Sequence, residues 1–233
     1  MGATPRSDDA TRAVRQALEI DIVVGRIYPR ERLVEEQLVE RFSISRHVVR
    51  RVLADLESDG LVVRSAGRGV VVAEYSSAEV RELYDMRAFL EREAALRIPA
   101  KVPDDALAEI GAVLAAWTEA AEAGDLLGIV SNNKTYHEKI YALCGNRFLA
   151  MGIHQFAKRA NLVRFSASTE PDFVARTRRE HDELFELLQS SDRQRLAELC
   201  VAHIMPAAEL YIARRRQIEG VAARGLGLGP QPD

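Results

Sequence analysis

A sequence pattern typical of β-strands occurs in one short stretch of this 233-residue chain, between Leu61 and Ala73. Two runs rich in valine, Leu61 to Arg64 and Val70 to Ala73, flank a turn with glycines at positions 67 and 69, which is the pattern of a β-hairpin. The remaining apolar residues repeat at three and four positions, the period of an amphipathic helix. The sequence therefore predicts a mainly α protein with one small hairpin.

Three helices are predicted before the hairpin, at about residues 10–24, 34–42 and 46–58. Ser45 can cap the third helix, and Gly60 can end it in the left-handed conformation. Three helices followed by a hairpin form a small winged unit, which we assign to residues 1–75.

Six longer helices are predicted after residue 76. Their ranges are about 78–98, 104–123, 125–143, 147–168, 171–189 and 192–218, separated by prolines, glycines and polar pairs. Helices of this length can enclose a cavity as well as a core. We expect an all-helical domain over residues 76–219 and a disordered tail, rich in Gly and Pro, over 220–233.

Composition limits the possible functions. The formal net charge of -3 means that a nucleic-acid surface can only be a local patch. The two cysteines, Cys144 and Cys200, form no CxxC pair, which argues against both a disulfide scaffold and a thiolate zinc finger. No window approaches eighteen uninterrupted apolar residues, so we expect a cytoplasmic protein without a membrane segment.

A basic patch lies at the start of the third predicted helix. Arg46, His47, Arg50 and Arg51 occupy its first turns, and no acid occurs from Arg41 to Arg51. A recognition helix enters the major groove with its amino-terminal turns nearest the bases, and arginine reads guanine through two hydrogen bonds. These side chains are therefore candidate DNA contacts, although a short basic stretch can also simply be an exposed, solvated helix face.

The hairpin tip supplies a second candidate contact. Arg68 lies between Gly67 and Gly69, where the missing side chains let the backbone approach a phosphate or the minor groove. Arg68 and Gly69 therefore join the predicted DNA-binding residues. The order of three helices and a hairpin favours DNA binding over a merely solvated surface.

Residues 10–73 resemble the winged helix-turn-helix domain of GntR-type bacterial transcription regulators. The similarity rests on the motifs Ile22-x-x-Gly25, Pro29-x-Glu31-x-Leu33, Ser45-Arg46-x-x-Val49-Arg50, Leu53-x-x-Leu56-x-x-x-Gly60-Leu61 and Gly67-x-Gly69. The resemblance implies a homodimer on a short palindromic, double-stranded DNA operator. It also implies that Arg46, His47 and Arg50 read bases while the wing at Arg68 enters the minor groove. Some members have a DNA-contacting arginine on the second helix; because Glu36 lies there, we predict no contact from that helix.

Three of the five histidines fall on helices of the carboxyl-terminal part. Asn133 and His137 are four residues apart and share a helix face, while His181 and His203 lie on the last two predicted helices. Three imidazoles and one oxygen donor suit zinc, nickel or manganese and leave positions open for a carboxylate. Spacing alone fits surface histidines equally well, and His154 has no companion and is interpreted as structural.

The same part resembles the FCD domain, the effector-binding half of the FadR subfamily of GntR regulators. The motifs are Tyr84-x-x-Arg87-x-x-Leu90-Glu91, Asn133-x-x-Tyr136-His137, Glu180-His181 and His203. The resemblance implies a metal at the floor of a cavity, bound by Asn133, His137, His181 and His203. An aspartate is commoner at the first of these positions. The neutral amide of Asn133 donates less charge, so we expect weaker or altered metal preference.

Arg87 has two interpretations. Its position four residues before Glu91 allows an intrahelical ion pair. The resemblance instead implies a guanidinium that faces the cavity and binds the carboxylate of a small effector, and we favour this role. Asn161 and Arg164, on a neighbouring helix, are further candidate lining residues.

Two alternatives to a regulator remain open at this point. A metal-dependent enzyme acting on a small carboxylate would need a base, but Glu138 and Glu180 each point about 100° away from the adjacent histidine on an ideal helix. A DNA-binding protein with an inert helical domain is the other. We favour a ligand-responsive transcription regulator, not an enzyme, in which an organic acid shifts the linker near residues 75–79.

Overall fold

The computed structural model describes residues 7–23, 25–168 and 170–225, and this part of the chain forms ten helices and three short strands. In chain order these are α1 Ser7–Val23, β1 Arg32–Leu33, α2 Glu35–Phe42, α3 Arg46–Ser58, β2 Val62–Ser65, β3 Gly69–Val72, α4 Ser77–Arg97, α5 Asp104–Glu122, α6 Leu126–Ala142, α7 Arg147–Arg159, α8 Asn161–Ser168, α9 Pro171–Gln189 and α10 Arg193–Gly225. The predicted fold class, a winged helix-turn-helix followed by an all-helical domain, is confirmed.

Helix α3 has the predicted bounds because both of its ends carry local signals. The Ser45 hydroxyl accepts a hydrogen bond from the Val48 N–H at 3.4 Å, and Gly60 follows the helix with φ of +75°. One stripe of α3 is buried against α1 and the sheet: Val48, Val49, Val52, Leu53 and Leu56. The opposite face of α3 is therefore left on the surface.

The wing contains one strand more than predicted. Strand β1 pairs antiparallel with β3, with Arg32 opposite Val71, so the strand order is β1-β3-β2. The predicted hairpin is present, and Val62 lies opposite Val72. A strand of two residues is too short to show an alternating apolar pattern in the sequence. Strand β1 is therefore recognised only from its pairing with the edge of β3 that β2 leaves open.

The helical domain is organised around α10, which packs mainly against α4 and also against α8 and α9. Within it, Arg193–Gln217 is long and apolar enough to cross a membrane by length and composition alone. Its inward residues, including Leu196, Ala197, Cys200 and Ala207, are buried among the neighbouring helices. This burial is typical of the central helix of a bundle.

Two predictions for the helical domain need correction. The single helix predicted over residues 147–168 is two helices, α7 and α8, which meet at Ala160. No proline or glycine marks this break; Ala160, Val163 and Ala167 are buried against α4 and α10, so packing decides it. The last helix continues to Gly225, so residues 220–225 of the expected disordered tail are helical, and 226–233 lie outside the described residues.

The end of α3 contacts the helical domain directly. Asp59 is only 6% exposed. Its Oδ1 atom lies 2.8 Å from Nζ of Lys158 in α7, and the same carboxylate also pairs with Arg15 of α1. The Tyr75 hydroxyl donates to the Gly60 carbonyl at 3.1 Å. The Tyr211 hydroxyl of α10 accepts from the Tyr75 N–H at 3.3 Å and donates to the Tyr75 carbonyl at 3.1 Å.

Candidate functional site

The basic side chains of α3 lie together on its exposed face. Arg46, His47, Arg50 and Arg51 are all exposed. Two of them contact acids of α2: Arg46 Nη1 is 3.3 Å from Glu36 Oε1, and Arg50 Nε is 2.9 Å from Glu35 Oε2. The arginine side chains remain 62% and 65% exposed, so these pairs are weak and can open.

The wing tip combines a charged side chain with glycine backbone. Gly67 and Gly69 have φ of +77° and +75°, a region that other residues rarely adopt, and Arg68 between them is exposed. Arg32 Nε would lie 3.9 Å from a Cβ placed on Gly69, so this exposed arginine borders the tip. Sequence reasoning missed Arg32 because its proximity depends on the pairing of β1 with β3.

Three histidines from three helices converge in the helical domain. His137 of α6, His181 of α9 and His203 of α10 each offer a ring nitrogen, and these nitrogens lie within 4.8 Å of one another. The Nε2 atoms of His137 and His203 are 3.2 Å apart. His181 is fully buried, and neither of its ring nitrogens has a hydrogen-bond partner within the described part of the chain. A buried imidazole without partners is costly unless something else satisfies it.

Neighbouring aromatic side chains hold His181 in position. The Tyr136 hydroxyl donates to the His181 carbonyl at 2.8 Å and so ties α6 to α9. The Trp117 ring of α5 packs edge-on against the imidazole, with centroids 4.7 Å apart. The cluster is therefore built into the core and not carried by a loop.

Glu180 orients a second histidine. Its Oε2 atom lies 2.8 Å from His203 Nδ1, which leaves His203 Nε2 directed at the cluster. Burial alone would raise the pKa of Glu180, but hydrogen bonds from His203 and Arg176 outweigh it and lower the pKa. Sequence reasoning compared Glu180 only with the adjacent His181 and missed its partner on the next helix.

The environment keeps two of the rings neutral. Burial lowers the pKa of His137 and of His181 well below the usual value, and the other imidazoles add to the effect. A neutral imidazole has a free lone pair, which is the form that binds a metal. The convergence of three imidazoles and the unsatisfied nitrogens of His181 fit a divalent transition metal.

Asn133 lies one turn before His137, as predicted, and is buried. It lines a cavity of about 30 Å³ together with His137, His203 and Arg87. Its amide nitrogen has no hydrogen-bond partner among the described residues. The structure thus brings Asn133 to the histidine cluster, and its role as a ligand stays a prediction.

Arg87 forms the predicted ion pair with Glu91 and also borders the cavity, while its role in binding an effector stays a prediction. Its Nε and Nη2 atoms lie 2.9 Å from Glu91 Oε1, and it also lines the cavity beside the histidines. The Tyr141 hydroxyl donates to the second oxygen of Glu91 at 2.6 Å. The guanidinium is therefore held in place by a buried carboxylate while it borders the cavity.

The other residues considered from the sequence are divided between the cavity and its surroundings. Arg164 lines the same cavity, donates to Asn161 Oδ1 at 3.0 Å, and has its pKa lowered to about 10 by burial and by Arg87. His154 does not join the cluster; its Nδ1 lies 2.5 Å from Glu138 Oε1. This contact joins α7 to α6.

Comparisons with known proteins follow the two halves of the chain. Residues 10–72 match the gntR family of bacterial regulatory proteins, and residues 82–205 match the FCD domain. An HTH-type regulator from the ttuE-ttuC' intergenic region of Agrobacterium vitis is 29% identical over 141 residues, 59% of this chain and 80% of the relative. The HTH-type regulator YdhC of Bacillus subtilis is 24% identical over 180 residues, 77% of this chain and 80% of its own length.

Solved structures show the same fold. The structure of a GntR regulator from Rhodococcus sp. RHA1 has a TM-score of 0.72 at 21% identity, and the match covers 87% of this chain and 97% of the Rhodococcus chain. The structure of McbR of Escherichia coli has a TM-score of 0.71 at 23% identity, and the match covers 89% of this chain and 98% of the McbR chain. The matching families are those of transcription regulators, which removes the enzyme alternative. The chain belongs to the GntR family of bacterial transcription regulators and carries an FCD domain behind its winged helix-turn-helix.

Proposed function

We propose that this protein is a cytoplasmic, homodimeric regulator that binds a palindromic operator and responds to a small organic acid. The acid binds over a divalent metal in the helical domain. The observation that carries the proposal is the convergence of His137, His181 and His203 beside the buried Arg87. Residues 1–75 bind DNA, and residues 76–219 bind the metal and effector and form the dimer.

The DNA contacts are assigned to α3 and the wing. Arg46, His47 and Arg50 read base edges, Arg51 contacts the backbone, and Arg68 and Gly69 approach the minor groove. The exposed face of α3 and the two glycines at the tip support this assignment.

The metal ligands are assigned to Asn133, His137, His181 and His203. Zinc, nickel and manganese all suit three imidazoles and one oxygen donor, and the neutral amide of Asn133 favours weaker binding than a carboxylate would give. The bound cation would supply positive charge for an acidic effector. Arg87 supplies a second positive group and orients the acid through its planar pair of donors.

An apolar patch supports the homodimer. Met86 and Phe89 of α4 are 43% and 69% exposed, and Phe148 and Met151 of α7 are 67% and 58% exposed. Helices α4 and α7 pack side by side, so these four side chains, the α4–α7 patch, lie on neighbouring helices. Large exposed apolar side chains grouped in this way are typical of interfaces. If a two-fold axis passes through the α4–α7 patch, the patch of each protomer covers the patch of its partner.

The DNA assignment is tested with the Arg50→Ala variant on an operator selected by the wild-type protein from random DNA. If Arg50 reads a base, discrimination between operator and mutated operator falls by about 1–3 kcal/mol, measured by fluorescence anisotropy. Arg97→Ala, in the helical domain, is the matched control. Unchanged specificity would remove Arg50 from the reading residues.

The metal assignment is tested by elemental analysis of purified variants. His137→Gln should lose most of the bound metal, whereas His154→Gln, a histidine outside the cluster, should keep it. His137→Gln should also lose stabilisation by organic acids in a thermal-shift screen of metal-loaded protein. Full metal content in His137→Gln contradicts the assignment. If the protein binds its operator but binds neither metal nor acid, the helical domain serves only for dimerisation.

A further inference from the structure

A second and larger cavity, of about 270 Å³, lies beside the histidine cluster between α4, α6, α7 and α8. It shares Arg87, His137 and Arg164 with the cavity at the histidines. That smaller cavity, at about 30 Å³, accommodates one or two water-sized groups. An effector bound at the histidines must therefore extend into the larger cavity.

The larger cavity has one end at Arg87 and the other at two lysines. Helices α6 and α7 are joined by a short turn, and Glu138 of α6 contacts His154 of α7. We infer that the two helices run in opposite directions, with Tyr141 near the start of α7 and Lys134 near its end. Lys134 and Lys158 both line the cavity. They are separated from the Tyr141 end by about seven residues of helix, roughly 10 Å. Arg87 belongs to the Tyr141 end because both contact Glu91.

Lys158 also touches the DNA-binding domain. Its ammonium is 2.8 Å from Asp59, the residue that caps the carboxyl end of α3. Asp59 is buried between Lys158 and Arg15, so the loss of one of its two cations costs more than the loss of a surface ion pair. Lys134 is held less firmly, 4.0 Å from Glu138. The lysine end of the cavity is thus adjacent to the end of the recognition helix.

We propose that the effector carries two acidic groups, one bound beside Arg87 and the other at the lysine end, where it draws Lys158 away from Asp59. This inference rests on the proposed function, because it assumes that the helical domain binds an acid. An anion at Lys158 stands close to the Asp59 carboxylate, and the two like charges repel. The bound state therefore favours an arrangement in which Asp59 and the end of α3 have moved apart from α7.

The consequence is a direct connection between the cavity and the operator. Occupation of the lysine end changes the support of α3, and hence the affinity for DNA. By linkage, operator DNA changes the affinity for the diacid by the same factor. A monoacid, bound at Arg87 alone, leaves the Lys158–Asp59 pair intact.

The test uses metal-loaded, full-length protein and matched linear acids. The diacids succinate, adipate and suberate are compared by calorimetry with butyrate, hexanoate and octanoate. At least one diacid should bind about ten-fold more tightly than the monoacid of the same length, the ratio expected for one additional charge-assisted hydrogen bond. Lys158→Met should abolish this preference. Lys139→Met should keep it, because Lys139 pairs with Glu109 and does not line the cavity.

A second measurement addresses the connection to DNA. Without any acid, Lys158→Met should change operator affinity in the same direction as the diacid does in the wild-type protein, whereas Lys139→Met should not. Equal binding of diacids and monoacids overturns the two-acid inference and leaves the proposed effector function standing. A diacid preference that survives in Lys158→Met, or unchanged operator affinity in that variant, also overturns it. If no acid binds, the proposed effector function fails and this inference with it.

Discussion

In the proposed DNA complex, two arginines of α3 would have to exchange the acids of α2 for DNA. Arg46 lies against Glu36 and Arg50 against Glu35. Exposed pairs of this kind contribute roughly 0–1 kcal/mol, less than arginine gains from guanine. We therefore expect the acids to lower operator affinity without preventing binding.

Removing one of these acids should strengthen DNA binding. We expect Glu36→Gln to bind the operator several-fold more tightly, because Arg46 loses a competing partner and the DNA phosphates lose a repelling charge. Titrations by anisotropy at two salt concentrations measure the effect. Glu57→Gln makes the same charge change at the far end of α3, where Glu57 pairs with Arg64. An equal gain in both variants would mean that only net charge matters.

The buried histidines make stability depend on pH. Burial and neighbouring imidazoles lower the pKa of His181 in the folded protein, while the unfolded chain takes up a proton near the usual value of 6.5. The unfolded state then binds more protons, so stability falls as pH falls through that value toward the folded pKa. Metal-stripped protein should lose free energy of unfolding between about pH 8 and pH 5. His181→Gln should show a smaller loss, and an equal loss would assign the dependence to other groups.

At the scale of elements, helix starts are specified locally while one helix break is not. Asn146 caps α7 by accepting from the N–H groups of Phe148 and Leu149, both at 3.1 Å. Ser76 caps α4 in a reciprocal arrangement: its hydroxyl accepts from the Glu79 N–H, and its own N–H donates to the Glu79 carboxylate at 2.7 Å. By contrast, α7 ends at Ala160 with no local signal. The caps are therefore readable from sequence and the α7–α8 bend is not.

The cap of α4 contributes measurable stability. We expect Ser76→Ala to reduce the free energy of unfolding by about 0.5–2 kcal/mol, because the Glu79 N–H loses its acceptor. Urea unfolding measures the change. Ser77→Ala is the control, because the hydrogen bond from Arg81 goes to the backbone carbonyl of Ser77, which the substitution keeps. A loss of the same size in both variants would argue against the capping contribution.

At the scale of the whole molecule, polar contacts around residue 75 join the two domains, in addition to the Asp59–Lys158 pair and the packing of α1 against α8. Tyr211 binds the backbone of Tyr75, and Arg215 of the same helix lies 2.8 Å from Glu74. Helix α10, which contains Pro206, also carries His203, so one helix connects the histidine cluster with the linker. We therefore expect a movement of α10 at the cluster to reach the junction.

Tyr211→Phe tests this connection while keeping the ring. The variant removes two hydrogen bonds, each contributing roughly 0.5–1.5 kcal/mol, and should make the linker near residue 75 more sensitive to limited proteolysis. Tyr28→Phe changes an exposed ring and serves as the control. Unaltered cleavage in Tyr211→Phe would show that other contacts fix the linker.

The α4–α7 patch makes a prediction about assembly. Phe89→Asp places a charge in the centre of an apolar interface and should convert the dimer to a monomer with much weaker operator binding. Light scattering measures the mass. Tyr28→Asp, an equally exposed aromatic position outside the patch, should leave the dimer intact. A dimeric Phe89→Asp variant would place the interface elsewhere.

The sequence by itself determined the helices, the hairpin and the ends of α3, because period, caps and glycine conformations act over a few residues. It also placed Asn133 and His137 on one helix face. Only the tertiary structure decided strand β1, the α7–α8 bend, the meeting of His137 with His203, and the contacts of Glu180 and Lys158. These features depend on how helices cross and which faces they bury, and such contacts join residues far apart in the chain that no local pattern relates.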